Sequence, residues 1–202
     1  MLAMLSAGCR DEPTATQDPP IPEPPTDPAR SGKVDPAPHS KLALGRAVFE
    51  ALQQDDWDGY TNTLAARADM MAVFQDTDQG DRRERRRRRR IVWRRINRLR
   101  GGGAEAGWKK TRRAAKQAGV AWDTARLLDV RHGPSTPELL PSEVTAAELR
   151  LVIEHRGVQL GIDLGPCVRT PRGWVVLYPM KWQGEGHGEP FGESLMGAVP
   201  DP

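Results

Sequence analysis

Cysteine is nearly absent from this 202-residue chain, which holds only Cys9 and Cys167. With no Cys-x-x-Cys pair, and with His39, His132, His155 and His187 each isolated, neither a disulfide framework nor a structural zinc site is expected. Glu185, His187 and Glu189 offer metal-ligating chemistry, but a glycine-interrupted run would have to be ordered to use it, so no metal is assigned there. No serine occupies a Gly-x-Ser-x-Gly elbow, and Gly101-Gly102-Gly103 lacks the Gly-Lys-Ser/Thr ending of a phosphate loop. No apolar run approaches the roughly 18 residues that span a bilayer. These absences leave no cofactor to assign and no catalytic residue to name from spacing.

The N-terminus is more specific. Met1 to Gly8 is apolar and without Lys or Arg, and it ends in Leu5-Ser6-Ala7-Gly8-Cys9. This resembles the lipobox of bacterial lipoproteins, and the resemblance implies lipidation of the Cys9 thiol and anchoring to the cell envelope. Residues 1–9 then read as a truncated signal peptide, with a basic n-region expected upstream. Several acyl chains on one cysteine hold a protein stably to a membrane, where a single chain does not. The alternative is a chance cysteine in a cytoplasmic protein.

Residues 10–39 hold nine of the eighteen prolines among Asp, Glu, Thr and Ala. Proline removes backbone donors, and too few apolar residues remain to offset ordering entropy, so a disordered tether is expected. It would span ~30 Å as a flexible coil and up to ~90 Å as polyproline II. Cys167 lies in a strand-like stretch and reads as a buried free thiol.

The net charge of +3 conceals a strong asymmetry. Arg82 to Arg113 carries sixteen of the thirty cationic residues against Glu84 and Glu105, which makes the segment +14 and the remainder −11. Its residues 82–100 form an Arg-rich helix, since arginine is a good helix former and Val92, Ile96 and Leu99 share one face. Arg85, Arg86, Arg87, Arg88, Arg89, Arg90, Arg94 and Arg95 are the candidate contacts for an anionic partner. Three readings are open: a solvated face neutralised by the domain's own acids, contact with anionic lipid or acidic polysaccharide, or nucleic-acid binding.

Residues 40–183 read as one α+β domain, with 184–202 as a flexible tail. Ser40 caps a helix carrying Leu44, Val48 and Leu52, Trp57 to Leu64 forms a second, and Asp69 caps a third with Met70, Val73 and Phe74. The triple glycine interrupts the Arg-rich helix, and helical pattern resumes from Ala104 to Ala118 until Gly119 stops it. Alternation then predicts strands over 121–131, 147–155, 158–164 and 174–178, with tight turns at Arg156-Gly157 and Pro171-Arg172-Gly173. Residues 134–142 are expected to be a loop.

Helices first and then four antiparallel strands resemble the cystatin-like and nuclear transport factor 2-like superfamily. The likeness rests on Phe49-x-x-Leu52, Trp57-x-x-Tyr60, Gly119-Val120-Ala121-Trp122, the Leu149 to Leu164 hairpin and Arg172-Gly173-Trp174. It implies N-terminal helices packed on a curved four-stranded sheet, often around a pocket. Tyr60, His155, Asp163 and Trp182 are the residues it suggests for that pocket. The functional expectation is a lipid-anchored envelope protein whose domain is a binding or interaction module with an unassigned protein partner. The alternatives are a small-ligand isomerase or dehydratase using Tyr60, His155 or Asp163, and a cytosolic nucleic-acid binder.

Overall fold

The computed structural model describes residues 37–77, 81–134, 140, 144–185 and 191–196, all within the unit Val34–Pro202. Cys9, almost all of the proline-rich segment and His187 lie outside the described residues, as does most of the expected 134–142 loop. No helix among the described residues is long and apolar enough to cross a membrane.

Helix α1 (Lys41–Gln54) starts where Ser40 accepts a 3.0 Å hydrogen bond from the Ala43 amide. Its buried stripe of Leu44, Val48 and Leu52 lies on the sheet. Gly45 allows that approach, because a Cβ there would fall 2.6 Å from Val130 Cγ2. Helix α2 (Trp57–Asn62) is capped by Asp56, and α3 (Arg67–Thr77) begins two residues before Asp69. Asp69 is therefore not the cap residue expected for α3. It sits in the first turn, and its Oδ2 accepts from the Ala66 amide at 2.8 Å, the return half of a capping box.

The Arg-rich stretch forms α4 (Arg82–Arg98), and Leu99–Gly103 widens into a kink before α5 (Ala104–Gln117). Gly102, at φ 110°, takes a conformation that residues with a Cβ seldom adopt. Val92, Ile96 and Leu99 are all buried, as their spacing required.

The sheet is antiparallel, with β1 (Arg126–Pro134), β2 (Ala146–His155), β3 (Val158–Thr170) and β4 (Gly173–Val176) as a meander. The first strand starts at Arg126 rather than Ala121, because 122–124 turn before the chain enters the sheet. Arg156 and Gly157, both at positive φ, make the tight β2–β3 turn. Two more strands come from regions not read as strand. Because β3 is much longer than β4, its remaining edge is open, and β5 (Lys181–Glu185) pairs there with Ile162 opposite Trp182. β6 (Glu193–Ser194) pairs with β1 at the far edge, giving the order β4-β3-β2-β1-β6. The stretch read as a loose tail thus supplies the end of β5 and all of β6.

Two apolar cores result. The main one joins α1, Tyr60 and α5 to Leu149, Leu151, Ile153, Ile162, Leu164, Cys167 and Val176. The second joins Met70, Val73, Phe74, Val92 and Ile96 to Val168, Val175 and Leu177. Cys167 and Val168 are neighbours on one strand, as are Val175 and Val176, so the β3–β4 hairpin is apolar on both faces and divides the two cores.

The α2–α3 connection crosses beside that hairpin. Val176 donates to the Thr63 carbonyl and the Ala65 amide donates to the Val176 carbonyl, both at 2.9 Å. Arg172 holds the crossing through its guanidinium, with donors 3.0 Å from each Asp69 oxygen, 2.8 Å from the Asn62 carbonyl and 3.2 Å from the Leu64 carbonyl. Both Arg172 and Asp69 are largely buried. Breaking a buried pair leaves an uncompensated charge, so Arg172→Ala is expected to lower unfolding stability by about 3 kcal/mol in a urea titration.

Candidate functional site

The four residues suggested for a shared pocket do not share one. Tyr60 is fully buried in the main core, stacked on Trp108 at 5.1 Å and tilted against Trp57 at 5.6 Å. Its hydroxyl has no hydrogen-bond partner among the described residues, and burial pushes its pKa well above the ordinary tyrosine value. The Met180 main chain opposes that shift from nearby without reaching hydrogen-bond geometry. His155 ends β2 on the core face, where its Nε2 accepts from the Ala121 amide at 3.3 Å. Trp182 is partly buried against the main core.

Asp163 alternates with Ile162 and Leu164, whose side chains enter the main core, so its carboxylate points to the other face of the sheet. There it meets Arg150 Nε at 2.5 Å and accepts from Gln183 Nε2 at 2.5 Å. An acid–base pair formed by His155 and Asp163 is therefore excluded by strand alternation. The polar side chains serve the fold: His155 fixes the 121–124 turn, and Asp163 ties β2 to β3 and β5.

Cys167 is fully buried, and desolvation, with a smaller contribution from the Glu148 charge, raises its thiol pKa strongly. Its Sγ lies 3.5 Å from the Gly165 carbonyl. A protonated thiol in a closed core is a packing group.

The arginines are the exposed chemistry. Arg88 pairs with Glu84 at 2.5 Å, Arg89 lies over the Phe74 ring at 5.7 Å, and Arg95 lies over the Tyr178 ring at 4.3 Å. Arg85 also makes interactions. Arg83, Arg87, Arg90, Arg94 and Arg98 follow one another at helical spacing, all are exposed, and none has an acidic partner among the described residues. Arg82 and Arg86 widen the stripe. Among the described residues no acid pairs with this face. Arg83 and Arg98 belong to the stripe although neither is among the contacts expected from the sequence; their spacing of four from Arg87 and Arg94 was the available signal.

Three concave regions accompany these charges. A groove of about 410 Å³ between α2 and α5 is lined by Trp57, Trp108 and Arg112, but Asp55 and Glu105 line it too. Arg112 pairs with Asp55 at 3.0 Å, and Lys109 with Glu105 at 2.5 Å. A second hollow, of about 290 Å³, lies among Arg82, Arg85, Arg86 and Arg89. The third, of about 360 Å³, is lined by Arg94, Arg95 and Arg98 on one side and by Tyr178 and Pro179 on the other, with Arg95 in contact with the Tyr178 ring. Burial, and then the neighbouring Arg98 charge, hold the Arg95 pKa below its ordinary value.

Removal of the orphaned phenol should cost little: Tyr60→Phe is expected to leave stability unchanged or raise it by up to about 1 kcal/mol in a denaturant titration. Cys167 is expected to resist a thiol reagent in the native protein at neutral pH and to react once urea unfolds it. Comparison with protein-family models, curated proteins and solved structures found no match to this chain.

Proposed function

We propose that this protein is a lipid-anchored component of a bacterial cell envelope. Its α+β domain, of cystatin-like or nuclear transport factor 2-like kind, acts as a binding module for an anionic envelope surface. The observation that carries this reading is the exposed stripe Arg83, Arg87, Arg90, Arg94 and Arg98, which meets no acidic partner among the described residues. Unpaired guanidiniums at this density repel one another across each helical turn, and a polyanionic surface relieves that repulsion. Each cation near an anionic membrane contributes about 1 kcal/mol.

The lipobox-like Leu5 to Cys9 and the proline-rich segment after it support the location. An acyl anchor confines the domain near headgroups, so the stripe acts at high effective concentration. The helix-then-sheet order supports the superfamily reading.

Two measurements test this. Fatty-acid labelling in a bacterial host is expected to mark the parent and not Cys9→Ser, and an unlabelled parent would remove the anchor. The full chain carrying Cys9→Ser is expected to sediment with vesicles containing phosphatidylglycerol. Adding Arg83→Gln, Arg87→Gln and Arg90→Gln should weaken that binding by about 100-fold at low salt, from three lost cations. Unchanged vesicle binding, alongside a salt-sensitive shift with DNA or RNA that the triple variant loses, would transfer the stripe to a nucleic acid.

A further inference from the structure

The cleft between the end of α4 and residues 177–179 differs from the other two hollows in its balance of charge. The Trp57 groove contains acids that pair with its cations. The hollow at the start of α4 has arginine on every side, and Arg85 and Arg89 there are engaged in other interactions. In the third, Arg94, Arg95 and Arg98 converge on a floor that includes Leu99, and no acid lines it. Three arginines with no acidic partner among the described residues face one space large enough for a small ligand.

The Arg95–Tyr178 stack gives that space a direction. A guanidinium on a ring face keeps its N–H donors in its own plane, at its edge, where an oxyanion is bound bidentately. Tyr178 is half-buried and so is Arg95, whereas the arginines of the stripe are exposed. The opposite wall is also held in place. A Cβ on Gly107 would lie 2.8 Å from Pro179 Cβ, so α5 approaches Pro179 as closely as a glycine permits. Gly103, in the kink, is equally confined: a Cβ there would fall 2.6 Å from the Arg98 carbonyl oxygen.

Cations in the last turn of α4 also complement the helix dipole, which accounts for Arg95 and Arg98 on stability grounds alone. That effect needs neither a ring stack nor a walled cleft, and it does not explain Arg94. A carboxylate takes one guanidinium bidentately, whereas a phosphate group offers enough oxygens to engage all three.

We propose that the cleft formed by Arg94, Arg95, Arg98, Tyr178 and Pro179 is a binding site for a phosphate group carried on a small moiety such as glycerol. This deepens the envelope-surface reading and rests on it for one source of the ligand, a phospholipid headgroup; the other source is a soluble phosphate ester. The stripe supplies general attraction, and the cleft recognises one phosphate.

The test uses the full chain carrying Cys9→Ser, so that no acyl anchor masks headgroup binding. Glycerol phosphate is titrated at constant ionic strength while amide NMR shifts are followed, with acetate as the control. Saturable shifts at Gly103, Leu177 and Tyr178 are expected, and Arg95→Lys, which keeps the charge but loses the planar fork, should weaken binding about ten-fold. Arg98→Gln, an exposed change that leaves the cores intact, should act similarly, and Arg87→Gln on the open stripe should not. Phosphatidylcholine vesicles with and without phosphatidylglycerol form the second arm. Loss of vesicle binding on Arg95→Lys identifies the headgroup as the source. A cleft-dependent response to glycerol phosphate with no vesicle response identifies a soluble ester, and then the surface reading fails while the site stands. The site is overturned if glycerol phosphate gives no saturable shift and vesicle binding responds to Arg95→Lys no more than to Arg87→Gln. Vesicle binding that depends on the stripe alone would leave the surface reading in place without the cleft.

Discussion

The crossing at Thr63–Ala65 is the constraint on which the rest of this domain depends. It connects α2, in the main core, to α3, in the second core, and it must pass the edge of β4 without leaving buried carbonyls unpaired. Arg100 from the α4–α5 kink and Arg172 from the β3–β4 turn meet that need. Arg100 donates to the Ala65 and Leu64 carbonyls at 2.8 and 3.0 Å, and Arg172 donates to those of Asn62 and Leu64. Asp69 then balances Arg172, so this largely buried guanidinium is both hydrogen-bonded and charge-paired. Arg100 sits in the α4–α5 kink, which ties the direction of both helices to the same crossing.

Arginine therefore has three distinct tasks in one chain, and the surroundings, not the residue type, separate them. Arg100 and Arg172 bind backbone carbonyls inside the fold. Arg112 and Arg150 pair with Asp55 and Asp163. The stripe on α4 has no such partners among the described residues. Arg95 lies between these categories, held on Tyr178 yet facing a cleft.

The helical layer was legible because its signals are local. Ser40 capping α1, the apolar face of α4, the stop at Gly119 and the Arg156-Gly157 turn each follow from residues within a few positions of one another. The third helix was misplaced by three residues at its start, at Arg67 rather than Met70, because Asp69 acts from the first turn, reaching back to Ala66. β5 and β6 were missed for a different reason. Each is short and lacks apolar alternation, and each exists because a longer strand elsewhere leaves an edge open. The suggested pocket failed on parity: Asp163 sits on the face of β3 opposite to Ile162 and Leu164, and a list of polar residues carries no such sign until the register is known.

By itself the sequence determined which segments are helical, where the hairpin turns, and that +14 of charge is concentrated in 32 residues, because capping, periodicity and composition are properties of neighbouring residues. Tertiary structure alone decided which of those charges stay unpaired. Whether an arginine meets Asp69, a carbonyl, the Tyr178 ring or open solvent depends on elements as many as a hundred residues apart, brought together by burial of two apolar faces on one hairpin. The long separations in the chain carry no local signal, and the cleft beside Tyr178 exists only once that packing is complete.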